Sequence, residues 1–131
     1  MMDHVEITLK RWRQSRFEYG RSDCILSLAE YASVDLRSQY AGSYSTEAEA
    51  EALIEQFGGI DQIIDLSGLP RIEPDQAKRG DIVVFWTGET AVGGICTGEG
   101  IAARTVRSTV EISRKFVEII FAWEFGNVSG R

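Results

Sequence analysis

Histidine is nearly absent from this chain. Of 131 residues only His4 carries an imidazole, and Cys24 and Cys96 are the only cysteines. A zinc site takes four Cys or His ligands, or several carboxylates at fixed spacing, so the sequence offers no metal site and no cofactor is expected. A disulfide scaffold in so short a chain would need more cysteines. No apolar run approaches the ~20 residues that a membrane-crossing helix requires. Met1 to Arg21 lacks the apolar stretch and small-residue cleavage site of a signal peptide, so synthesis in a cytoplasm and no membrane insertion are expected. Positive charge is also in short supply. Fourteen Lys and Arg face 20 Asp and Glu, a net charge of −6, which argues against nucleic acid as a partner because phosphate neutralisation needs clustered cations.

The chain has the composition of a globular protein. Hydrophobic residues make up 44% and charged residues 26%, enough for one hydrophobic core. Without repeats, linkers or low-complexity segments, residues 1–131 are expected to form one domain. Charge is uneven: Lys10, Arg11, Arg13, Arg16 and Arg21 make the start basic, and Glu47, Glu49, Glu51, Glu55, Asp61 and Asp65 make the middle acidic. Solvated helix faces are the expected reading of both runs, with a protein-docking patch as the alternative.

Val5, Leu9 and Trp12 fall at helical spacing and predict a helix over 3–16. After the break Phe17-Glu18-Tyr19-Gly20, Ser22 or Asp23 can cap a second helix with Ile25, Leu28, Ala29 and Ala32 on one face, reaching about Val34 and continuing as a short piece to Tyr40. Thr46 with Glu49 is a capping box for a third helix that stops at Gly58-Gly59. Ile60 to Leu66 reads as one or two further turns, and Gly68-Leu69-Pro70 closes the helical half. Then the period changes to that of strands: Ile82 to Trp86, Val92 to Thr97, Ile101 to Val106, Val110 to Phe116 and Val117 to Phe125. Helices first and hairpin-linked strands afterwards predict an α+β fold, with N-terminal helices packed on a C-terminal antiparallel sheet of about five strands. Trp12, Trp86, Trp123 and Phe125 are expected in the core or on the sheet.

The chemically suggestive residue is Cys24. It falls in the first turn of the second helix, where unpaired backbone N–H groups and the helix dipole favour a thiolate. Its segment alone favours a small buried side chain.

Three segments taken together resemble the NlpC-type murein cysteine peptidases, a papain-like family. They are Gly20-Arg21-Ser22-Asp23-Cys24, Gly80-Asp81-Ile82-Val83, and Val92-Gly93-Gly94-Ile95 running on to Gly98-Glu99-Gly100. The chain is more similar still to a compact branch of that fold encoded among phage tail genes. That branch shares the Phe-x-x-Gly-x-x-Asp-Cys start, a Tyr before the third helix (Tyr44), the stop at Gly58-Gly59, the strand with Cys96 and a late Trp (Trp123). The resemblance implies a papain-like arrangement with Cys24 as candidate nucleophile. It also implies a place in the virion, with other tail-tip or hub proteins as partners and murein peptide as a conceivable ligand.

The same comparison shows what is missing. The histidine that accepts the thiol proton in those peptidases falls on Val92, or on Ala91 if the register slips by one. The residue that orients it falls on Arg104, or on Ala103. None of these is a base, and arginine stays protonated, so two of the three parts that nucleophilic catalysis needs are absent. His4 is expected to be solvent-exposed and away from Cys24. Asp23 is better placed to cap a helix than to activate a thiol, since a carboxylate beside a thiol raises its pKa. Glu89 and Glu99 read as solvated turn residues, and Arg104 and Arg107 as ordinary exposed strand and turn arginines. In a papain-like arrangement Cys24 and Cys96 could lie close enough to bridge, with two buried thiols as the default. Two functions follow as expectations: a tail structural or assembly protein on a degenerate peptidase-like fold, or an active cysteine peptidase or amidase that cleaves murein during infection.

Overall fold

The computed structural model describes residues 2–125 and shows an α+β arrangement, with helices in the first half and an antiparallel sheet in the second. Helix α1 (His4–Gln14) is capped by Asp3, whose carboxylate accepts from the Glu6 amide, and it turns Val5, Leu9 and Trp12 inward. Helix α2 (Cys24–Tyr31) buries Ile25, Leu26, Ser27, Leu28, Ala29 and Tyr31. A helix apolar on most sides belongs in the middle of a molecule, and α2 is the central one here. A single turn, α3 (Arg37–Tyr40), leads to α4 (Glu47–Phe57). The expected capping box opens α4: Thr46 Oγ1 accepts the Glu49 amide at 3.2 Å, while the Glu49 carboxylate reaches back to the Ser45 amide at 3.0 Å. Gly58 ends α4 in the left-handed conformation, and α5 (Ile60–Asp65) follows directly.

Six strands, one more than expected, form the sheet: β1 (Arg71–Ile72), β2 (Ile82–Trp86), β3 (Ala91–Cys96), β4 (Gly100–Arg104), β5 (Thr109–Ser113) and β6 (Glu118–Trp123), in the order β1-β6-β2-β3-β4-β5. The additional strand β1 is two residues long and pairs only with β6, too short to leave an alternating pattern in the sequence. The strand expected over 110–116 ends early because Arg114–Phe116 coils into a 3-10 turn.

Side chains alternate across the sheet, as the pleat requires. Ile82, Val84, Ile95, Ala102 and Trp123 face the helices and pack with Leu9, Trp12, Leu28, Tyr31 and Ile64. Val83, Phe85, Cys96, Ile101, Ala103 and Ala122 face the other way and are buried as well. Segments flanking the strands help to cover them, Ala77 ahead of β2 and Val117 ahead of β6. Ile112 of β5 and Ile119 of β6 join the same cluster although their strands lie at opposite sides of the sheet, and Arg114, just past β5, donates to the Ala77 carbonyl at 2.6 Å. The β2–β6 pairing shifts register between Val84 and Phe85, an irregularity that adds local twist. Glycine at position 93 gives α2 its close approach to the sheet: an added Cβ would fall 2.4 Å from Leu28 Cδ2, and the Leu28 side chain would have to shift.

Two aromatic expectations gain detail. Trp86, expected in the core or on the sheet, lies on the sheet at the end of β2 and is 42% exposed. Trp123 is fully buried, and its indole N–H donates to Asp65 Oδ1 at 2.9 Å, tying β6 to α5. Arg71 grips Asp61 and Asp65 and lies over the Phe121 and Trp123 rings, closing the same corner.

The Gly80-Asp81 turn is a second tie. Asp81 is fully buried and accepts from the Lys78 amide at 3.0 Å and from the Phe125 amide at 2.9 Å, while Tyr31 at the end of α2 donates to the Gly80 carbonyl at 2.7 Å. Removing a buried acceptor leaves its donors without water or partner, so Asp81→Ala is expected to cost about 2–4 kcal/mol. A urea-unfolding midpoint that falls at constant slope checks this.

Candidate functional site

The N-terminus of α2 is built around one carboxylate. Asp23 is fully buried. Its Oδ1 accepts from the Leu26 amide at 2.8 Å, the ordinary helix cap. Its Oδ2 accepts from the Gly20 amide at 2.7 Å and from the Tyr44 hydroxyl. Gly20 takes a φ of +81°, and a Cβ there would fall 2.0 Å from the Tyr44 carbonyl oxygen, so both conformation and space exclude a side chain. The segment Gly20-x-x-Asp23 and the distant Tyr44 thus form one unit. Sequence reading identified Asp23 as a cap but gave no structural role to Tyr44. Burial, and then the hydrogen bond to Asp23, push the Tyr44 phenol well above its usual pKa.

Cys24 opens α2 at this point. The residue keeps some surface, but protein atoms surround its thiol, and it packs in the cluster of Ile25, Leu26 and Tyr44. Burial pushes the thiol from an ordinary value near 9 up to about 11, and the negative charge of Asp23 adds to the shift. The Cys24 and Ile25 backbone amides and the Arg104 charge act in the opposite direction and are outweighed. The helix-terminus effect expected from the sequence is therefore present but smaller than the desolvation it opposes.

Strand alternation determines which candidate positions face α2. Ala91 packs with the helix-facing cluster, whereas Val92 packs in the cluster on the opposite side of the sheet. On β4, Ala103 points away from the helices, and Arg104 shares the parity of the helix-facing Ala102. The two positions that look toward α2 are therefore Ala91 and Arg104, and neither is a base. His4 stacks on Tyr31, ring centroids 4.8 Å apart. Tyr31 closes α2 and Cys24 opens it, a separation of about 10 Å along the axis, so His4 belongs to the far end of the helix. Glu89 and Glu99 are exposed turn residues. Cys96 is buried on the sheet face opposite the helices, so the two cysteines remain free thiols rather than a bridge.

Arg104 is the residue whose surroundings differ most from expectation. It is 5% exposed rather than an ordinary surface arginine. Its Nη2 donates to the Ser15 carbonyl at 3.0 Å, and no group among the described residues accepts from its buried Nε. Burial, together with the nearby Arg37 charge, lowers its pKa from the usual arginine value. Alternation from Ala102 was the sequence signal that put this side chain on the helix side.

The described residues contain no group of three or more His, Cys, Asp or Glu side chains able to hold a metal ion. Residues 2–125 match a family described as a domain of unknown function, DUF6950. No curated protein and no solved structure matches the chain.

The Asp23 unit yields a stability prediction. Tyr44→Phe removes one donor from a buried carboxylate while keeping the ring, and it is expected to destabilise the fold by about 1–3 kcal/mol. Chemical denaturation checks this, with Tyr40→Phe, whose ring lies outside the unit, as the control expected to stay near zero.

Proposed function

We propose that this chain, which belongs to the DUF6950 family, is a structural or assembly component of a phage tail that uses a cysteine-peptidase-like fold without hydrolytic chemistry. The observation that carries the non-catalytic part is the setting of Cys24: burial and the charge of Asp23 disfavour its thiolate, and the positions facing α2 from β3 and β4 are Ala91 and Arg104. Nucleophilic catalysis by cysteine requires a thiolate or a base within hydrogen-bond reach, and the only histidine lies at the other end of α2.

The papain-like reading is supported by a helix that begins at the cysteine and packs its middle on Gly93 of β3, with the Gly80-Asp81 turn feeding the neighbouring β2. The tail reading rests on the sequence resemblance to compact proteins encoded among phage tail genes, and it gives tail-tip or hub proteins as partners and the virion as the location. In this reading Gly20, Asp23 and Tyr44 serve as a folding unit, and Cys24 is a small side chain beside it.

The alternative, a peptidase or amidase acting on murein, keeps one observation in its favour: Cys24 stands in the first turn of a helix, with backbone amides stabilising a thiolate. The two readings separate in a phage whose own copy of the gene carries Cys24→Ala. The expected outcome is normal tails, plaque counts close to wild type and the protein present in purified virions, with no murein peptide released by the purified wild-type chain. Loss of infectivity together with murein cleavage that depends on Cys24 would establish the enzyme. Absence of the protein from virions, with tails assembling normally when the gene is deleted, would remove the tail role.

A further inference from the structure

A cavity of about 600 Å³ lies between the end of α1 and the β4–β5 turn, within the range of about 300–1,000 Å³ that small-molecule sites occupy. Its charged lining is all of one sign: Arg13, Arg16, Arg104 and Arg107 contribute, and no Asp or Glu does. In a chain of net charge −6, four arginines converging without a carboxylate reverse the overall balance. Trp12 and Phe17 form an apolar part of the wall.

Arg104 separates this cavity from a merely basic surface. Surface arginines keep their charge in water, but this one is 5% exposed. One edge of its guanidinium is anchored by the Ser15 carbonyl, and Nε has no acceptor among the described residues. None of its nitrogens lies within ion-pair distance of a described carboxylate, and the nearby Asp23 is committed to three other donors. A second buried polar atom in the lining, Thr109 Oγ1, also has no hydrogen-bond partner among the described residues. A buried cation and a buried hydroxyl left unpaired are each costly, and a group that accepts from both would remove both costs. Guanidinium groups pair best with planar or tetrahedral oxyanions through two N–H donors.

We propose that this cavity binds a small molecule through one oxyanion, a carboxylate or a phosphate group, which Arg104 and Thr109 receive and Arg13, Arg16 and Arg107 surround, with the ligand's apolar part against Trp12 and Phe17. The proposal is independent of whether Cys24 reacts, because Cys24 does not line the cavity.

The test follows the Arg104 Nε–Hε resonance of the 15N-labelled full chain at fixed ionic strength during titration with inorganic phosphate, acetate, phenyl phosphate and benzoate, with chloride as the non-specific anion. The expected result is a saturable shift for at least one oxyanion and none for chloride, with the phenyl-bearing probe of that pair binding more tightly. Saturation by the phosphates alone or by the carboxylates alone supports the site and names its source. The double variant R13A/R16A, both exposed positions, is expected to keep the wild-type urea midpoint and to weaken binding about tenfold. Arg104→Gln is expected to abolish binding, and if that variant does not fold, the double variant decides. Shifts that never saturate, that chloride reproduces, or that R13A/R16A leaves unchanged overturn the proposal and assign the arginines to a solvated surface.

Discussion

The carboxylate of Asp23 holds together three stretches of chain that are separate in sequence. Enclosed away from water, it accepts from the turn before α2, from the first turn of α2 and from Tyr44 ahead of α4. A buried charge of this kind is tolerated only when its acceptor capacity is used, and here backbone amides and a phenol use it without a cation. Burial first, and then the same charge, explain the neighbouring thiol. What fixes the helix terminus also stands beside Cys24 and raises the cost of making a second negative charge there. Geometry that would suit a nucleophile is thus coupled to electrostatics that suppress one.

The rest of the fold is arranged around α2. Its far end is tied to the Gly80 carbonyl through Tyr31, and Asp81 in that turn repeats the logic of Asp23: a fully buried acidic side chain whose oxygens accept backbone amides, in this case from Lys78 and Phe125. Two buried carboxylates therefore brace the two ends of one helix, one directly and one through the turn into β2. Gly93 lets the middle of the helix lie against the sheet. The motifs that resemble a catalytic family are, in their observed contacts, the joints of the fold.

Much of this was legible in the sequence because local chemistry dictated it. Asp23 and Thr46 read as caps and behave as caps, Gly58 stops α4, and the change from helical to alternating apolar spacing gave the α+β order. The two-residue β1 escaped because it is too short to carry a period, and the strand ending at Ser113 was read too long because Arg114–Phe116 is apolar enough at one position to pass for strand. At the site, residue identity alone showed that His4 is the one histidine of the sequence. Which of Ala91 and Val92 faces the helix was not legible, since the motif register left both open and only the pairing of β3 with its neighbours fixes the parity. Arg104 was misjudged for a related reason: its type suggests the surface, while its place two residues after Ala102 puts it inside, and type was given more weight than alternation. The bond from Tyr44 to Asp23 spans 21 residues and leaves no local trace.

The account stands or falls on the protonation of Cys24. The direct measurement is the 13Cβ resonance of Cys24 in protein labelled at cysteine, followed from pH 6 upward, with Cys24→Ser identifying the signal. The account predicts a resonance unmoved through the neutral range that titrates near pH 11. A midpoint below about 8, lower than that of a free thiol, would contradict it and return Cys24 to the role of a nucleophile.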